Sequence, residues 1–227
     1  MYPGFLWFAA CSVLLLVACS GPPADLVRTP RPLVYVAIGA SDAVGVGAID
    51  PARDGWVPVL HRKLPVDTRL VNLGISGSLL SEALVQQLPV AVDADPDLVT
   101  VWLAVNDFAA QVPLEEYGAG LDQLLDAITT QTHARVLVAN VPDLTRVPAF
   151  GAVPHDLLEG EILRWNAAIA DVVERHGAVL VDLYPFGAEL AGRPDLVGGD
   201  GFHPSTRGYR RLAEVMWTAI EAHHLLP

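Results

Sequence analysis

A serine, a histidine and an aspartate in this chain sit where acyl-transfer chemistry would need them. Ser41 follows a short apolar run through Gly39 and Ala40 and is followed by Asp42. In a strand-to-helix turn flanked by small residues, its hydroxyl would stand free to attack a carbonyl carbon. The same position equally suits a serine that caps a helix, worth about 1 kcal/mol. His203 lies three residues after Asp200 in one loop. That carboxylate can accept from one ring nitrogen and fix the tautomer, leaving the other nitrogen to take a serine proton. An unperturbed imidazole titrates near neutral pH, as a general base should. The plain alternative is a loop histidine ahead of a helix, and Asp182 offers a second carboxylate for the same ring. The other histidines (His61, His133, His155, His176, His223 and His224) stand without a loop acid at that spacing and read as surface or structural. Gly74 and the pair Asn106-Asp107 each close an apolar run and, taken alone, read as turns.

These residues need elements to bring them together. Leu33 to Ile38, Thr68 to Leu73, Leu98 to Val105, Arg135 to Ala139 and Ala178 to Leu183 are short runs rich in apolar, largely β-branched residues, which predicts five strands. Between them the pattern predicts helices over Trp56 to Leu64, Ser78 to Val90, Leu114 to Thr130 and His155 to His176. A last helix spans Pro204 to His224, with Pro204 in its first turn. Val141 to Pro154 and Tyr184 to Phe202 read as loops. Strands that are apolar throughout are covered on both faces, as in parallel sheets. The expectation is an α/β fold: one doubly wound, roughly five-stranded parallel sheet with helices on both faces. In such sheets ligands bind beyond the carboxyl ends of the strands. Ser41, Gly74 and Asn106 all fall there.

Four blocks carry a family resemblance: Gly39-Ala40-Ser41-Asp42, Gly74 after Asn72-Leu73, Asn106-Asp107, and Asp200-Gly201-Phe202-His203-Pro204. Their order and content resemble the SGNH/GDSL hydrolases, over about Leu33 to Leu225. The resemblance implies a flavodoxin-like fold and a serine ester hydrolase. Ser41 would be the nucleophile, with His203 and Asp200 as base and orienter. An oxyanion hole would be built from the Ser41 N–H, the Gly74 N–H and the Asn106 side chain. The products would come through an acyl-Ser41 intermediate. Two positions depart from the family's usual blocks. Ala40 precedes the serine where aspartate is common, with Asp42 following instead, and Ala104 stands two residues before Asn106 where glycine is common. Neither removes a functional group, so they bear on substrate size rather than on activity.

Composition narrows the rest. The chain has 227 residues, enough for one sizeable core and short for two domains. A formal net charge of -12 gives no basic surface for a nucleic acid. Both cysteines, Cys11 and Cys19, precede residue 20, which excludes a disulfide or thiolate metal site in the domain that follows. No motif calls for a metal or an organic cofactor.

Residues 5–19 form an uncharged apolar run, too short to span a bilayer comfortably and suited to a signal peptide. It ends in Leu16-Val17-Ala18-Cys19, which resembles a bacterial lipobox, although no Lys or Arg precedes the run. The expectation is a signal peptide over 1–19 with a lipid on Cys19, a proline-rich tether over 20–32 and a catalytic domain over 33–227. The protein would then be exported and held on the extracytoplasmic side of a membrane, or otherwise secreted. Its partners would be that membrane surface and a small-molecule, lipid or carbohydrate ester.

Competing motifs fail on their residues. Gly-x-Ser-x-Gly is broken by Ala43 after Ser41, and Gly-x-Gly-x-x-Gly by Asp50 after Gly45 and Gly47. Two other readings use the same residues: an acyltransferase with the same site, or a surface-anchored binding protein on a retained hydrolase fold. Phe150, Tyr184, Phe186 and Leu196, in the two long loops, suggest an apolar acyl site.

Overall fold

The chain's five strands owe their apolar composition to coverage on both faces. In a computed structural model, which describes Met1 and residues 31–226, β1 (Val34–Gly39) and β3 (Leu98–Trp102) are buried at every position. β2 (Arg69–Asn72), β4 (Arg135–Ala139) and β5 (Val179–Val181) complete the sheet. Apart from Met1, the expected signal peptide with Cys19 and all but the last two residues of the tether lie outside the described residues. Internal contacts gather Pro32–Pro227 into one unit. Among the described residues no helix is long and apolar enough to cross a membrane.

All pairings are parallel, in the order β2-β1-β3-β4-β5. Parallel neighbours cannot be joined by a tight turn, so each connection carries helix across a face of the sheet. The helices are α1 (Ser41–Val44), α2 (Pro51–Asp54), α3 (Trp56–His61), α4 (Leu80–Gln86), α5 (Leu88–Asp93), α6 (Ala104–Ala109), α7 (Leu114–Gln131), α8 (His155–Arg175), α9 (Tyr184–Glu189) and α10 (Thr206–Ala222). One group, α4, α5, α7 and α8, packs together, and α3 packs on α10. The stripe Leu121, Leu124, Leu125 and Ile128 of α7 is buried, as its spacing predicts.

The strand order places a switch point between β1 and β3. From β1 the chain turns one way to β2, then returns to lay β3 on the other side. The crevice at that point is where open α/β sheets bind ligands. Gly39 ends β1 opposite Trp102 at the end of β3, so the residues just beyond each meet there.

Four expectations about elements change. The helix over 78–90 is two helices broken at Gln87, because Pro89 in mid-helix would cost an N–H bond and clash with the preceding turn. The strand over 98–105 stops at Trp102, and Ala104 to Asp107 open α6 instead. Within the second loop, α9 and a 3-10 turn over Pro194–Leu196 are ordered. The last helix begins at Thr206, capped by the Ser205 hydroxyl, with Pro204 just outside it.

Candidate active site

The turn that presents Ser41 is clamped from below. Gln87 is buried, its side-chain carbonyl accepting from the Gly39 N–H and its amide donating to the Gly39 oxygen, each at 3.0 Å. This two-point bond fixes the end of β1 two residues before Ser41. Ala40 turns the chain, and Ser41 is the first residue of α1 rather than its cap. The sequence suggests a free hydroxyl, yet Ser41 is 6% exposed because the His203 ring covers it.

The histidine comes from the far end of the chain. Its Nε2 lies 2.9 Å from Ser41 Oγ, and its Nδ1 lies 2.6 Å from Asp200 Oδ2. Asp200 Oδ1 accepts from the N–H groups of Phe202 and His203, both at 3.0 Å. Burial pushes the Asp200 carboxyl up, but these hydrogen bonds outweigh it and hold the group below its usual range. The loop packs directly on Gly47, where a Cβ would stand 2.6 Å from the Pro204 oxygen and 3.0 Å from His203 Cβ. Only glycine permits that approach.

Two segments follow the strands that flank β1. Asn106 Nδ2 donates to the Ser78 oxygen at 3.1 Å. An amide nitrogen carries two protons, so one is left for a ligand. Asp107 accepts from the Leu80 N–H at 3.0 Å, at the start of α4. Side by side, Asn106 and Asp107 hold the segment 78–80. Burial raises the Asp107 carboxyl to about 6. Gly74, expected as an oxyanion donor, gives its N–H to Asn72 Oδ1 at 3.1 Å, and a Cβ on it would stand 2.8 Å from Ala43 Cβ. Its glycine character serves packing against α1. Gly77, three residues on, has a φ of +82°. Among the described residues its N–H has no acceptor. The second glycine of Gly74-Ile75-Ser76-Gly77 was the available signal for it. Gln87 left no signal in the sequence.

Asp42 is a second carboxyl inside the site. It is 7% exposed, within 3.5 Å of the Tyr209 hydroxyl, which itself donates to the Val46 oxygen. Burial pushes Asp42 up to about 6, against the opposing pull of His203. Asp182 is engaged elsewhere, accepting from Asn140 Nδ2 at 2.9 Å and the Tyr184 N–H at 3.1 Å. His176 has an acidic companion from α7, Asp122 at 3.0 Å, which local spacing does not show. His155, Asp156 and Glu159 cluster within reach of one cation on the exposed start of α8, apart from the serine's contacts.

One recess borders the site and a second lies farther along α6. A small cavity of about 40 Å³ lies behind the histidine loop, lined by Asp42, Phe186, Leu196 and Phe202 among others. It has room for a few water molecules. A groove of about 490 Å³ opens between α6 and the start of α8, lined by Phe108 and Phe150. The four aromatic and apolar loop residues therefore separate. Phe186 and Leu196 line the cavity, Phe150 lines the groove, and the Tyr184 hydroxyl donates to Glu159 at 2.9 Å.

A parallel sheet with a serine, an imidazole and a carboxylate linked in series at its switch point defines a site of the acyl-hydrolase type. The chain belongs to the GDSL-like lipase/acylhydrolase family, whose sequence model matches residues 37–211. It is thus a carboxylic ester hydrolase. Its fold is similar to that of TesA (TM-score 0.71, 23% identity, 85% of this chain and 99% of that one). It is also similar to the psychrotrophic esterase EstA from Pseudoalteromonas sp. (0.68, 20%, 83% and 97%). A third similar structure is Axe2, an acetylxylan esterase from Geobacillus stearothermophilus (0.67, 19%, 83% and 94%). No curated protein sequence matches the chain.

Proposed function

We propose that the chain hydrolyses acyl esters through an acyl-Ser41 intermediate. The observation that carries this is the unbroken path Ser41 Oγ, His203 Nε2, His203 Nδ1, Asp200 Oδ2, with links of 2.9 and 2.6 Å. Ser41 Oγ attacks the ester carbon as Nε2 takes its proton. The imidazolium that forms is stabilised by Asp200, which keeps its negative charge. Negative charge developing on the carbonyl oxygen is met by donors: the Ser41 N–H, the free proton of Asn106 Nδ2 and, in place of Gly74, the unengaged N–H of Gly77. The tetrahedral species collapses, and the alcohol leaves with the proton from Nε2. Water then attacks the acyl-serine with His203 again as base, releasing the acid and restoring the hydroxyl.

The test is hydrolysis of p-nitrophenyl esters, with Ser41→Ala as control and a fluorophosphonate probe as an independent readout. Activity and labelling should both vanish in the variant. Labelling that persists without Ser41 would refute its role as nucleophile.

The address is a further part of the proposal, supported by sequence alone. Residues 1–19 are cleaved as a signal peptide, Cys19 carries the lipid, and the 20–32 tether holds the catalytic domain over 33–227 on the extracytoplasmic side. Cys19→Ala should release the protein into the medium; membrane retention of that variant would overturn the anchor.

A further inference from the structure

A row of rings starts at the catalytic imidazole. Phe202 meets His203 edge-on, with centroids 4.8 Å apart. Phe150 follows at 6.0 Å from Phe202, and Phe108 at 6.4 Å from Phe150. Trp165 then meets Phe108 edge-on at 5.4 Å. Both ends of the catalytic machinery are tied to this row. Phe108 lies two residues beyond Asn106 in α6, and Ala149, beside Phe150, donates its N–H to the Gly201 oxygen of the histidine loop. Phe108, Phe150 and Trp165 line the groove of about 490 Å³. On its lip Leu157 is 70% exposed and Val153 43% exposed. Apolar side chains standing in water beside half-buried rings gain from any hydrocarbon laid across them. Of the groove's charged groups, Arg164 and Glu161 are paired with each other at 2.7 Å. The cavity behind the histidine loop, at about 40 Å³, has no room for a chain.

We infer that this groove is the acyl site, and that the preferred substrates are esters of medium-length, unbranched fatty acids. The inference rests on the esterase reading above. The ring steps of 6.0 and 6.4 Å bound the length. An extended chain advances roughly 1.2 Å per bond, so about ten carbons at most fit between the histidine loop and Phe108.

The experiment varies the two sides of the ester separately. With p-nitrophenyl esters from acetate to palmitate, kcat/KM should rise two- to fourfold per methylene and level off near decanoate, the gain expected for each buried methylene. With alkyl acetates of increasing alcohol length it should stay flat. Leu157→Glu, on the exposed lip, should lower decanoate hydrolysis at least tenfold and leave acetate within twofold. Leu163→Glu, on the same helix but off the groove and 49% exposed, should change neither. Acetate cleavage with no gain along the acyl series, a gain along the alcohol series instead, or equal losses on both esters in Leu157→Glu would each overturn the acyl groove and leave the esterase standing. No cleavage of any ester, with no labelling of Ser41, would overturn both.

Discussion

Asp200→Asn separates the catalytic role proposed for the carboxylate from its structural one. Asp200 has two jobs on different oxygens. Oδ1 holds the loop through the Phe202 and His203 N–H groups, both at 3.0 Å. Oδ2 faces His203 Nδ1 at 2.6 Å. In the asparagine variant the carbonyl keeps both backbone bonds, and the NH2 group replaces Oδ2. A donor then faces Nδ1, so Nδ1 must accept and the ring proton moves to Nε2. At 2.9 Å from Ser41 Oγ, that nitrogen now donates where it should accept. The general base is lost without loss of the fold. The expected fall in kcat is about 10⁴, or about 5.5 kcal/mol on the barrier. The melting temperature should stay within a degree or two of wild type. Asp200→Ala loses the backbone bonds as well, at about 1 kcal/mol each, and should lose both activity and stability. Steady-state hydrolysis of p-nitrophenyl butyrate with a thermal melt reads both quantities. Asp182→Asn is the control and should stay within threefold of wild type, since Asp182 is held by Asn140 and Tyr184. More than a tenth of wild-type kcat in Asp200→Asn, or a comparable loss in Asp182→Asn, would refute the assignment.

Under the proposed mechanism Asn106→Ala removes one oxyanion donor and should lower kcat by a hundred- to a thousandfold with little change in KM; a loss confined to KM would count against the role. Asp42 offers a test through pH. Its folded value of about 6 lies above the ordinary 3.8, so the folded state keeps a proton that the unfolded chain has already released. Wild-type stability therefore falls as pH rises from about 4 to about 6, and the deficit, up to ~3 kcal/mol, persists above that. Asp42→Asn should melt higher than wild type at pH 8, with the gap closing by pH 4; a gap independent of pH would sink the argument. Gly187→Ala would drive a Cβ into the Asp143 backbone, and overpacking of this kind costs roughly 1–3 kcal/mol. An unchanged melting temperature would show that the α9 segment yields freely.

The serine, histidine and aspartate that the fold links in series were legible early because the pairing of the last two is local. Asp200 and His203 lie three residues apart, and that spacing lets one carboxylate serve both the loop backbone and the ring. The five strands were legible because burial on both faces leaves an unbroken apolar run. Boundaries were harder to read where a helix follows a strand at once, as at Trp102 and Ala104, since both segments are apolar and neither shows its period.

By itself the sequence determined the fold class, the residue types able to do acyl transfer and their order along the chain. Tertiary structure alone decided which of them meet. Ser41 and His203 are 162 residues apart and touch because the strand order sets Ser41 at the switch point and α10, which follows the histidine loop and packs on α3, anchors that loop over it. It also decided which glycine N–H is free, since Gly74 is engaged by Asn72 and Gly77 is not. Gln87 was legible only once folded, because a polar residue between two helices becomes a clamp only when a strand end arrives to fill its hydrogen bonds. Local pattern encodes what a residue can do. Long-range packing and the pairing of buried polar groups choose the partner it does it with.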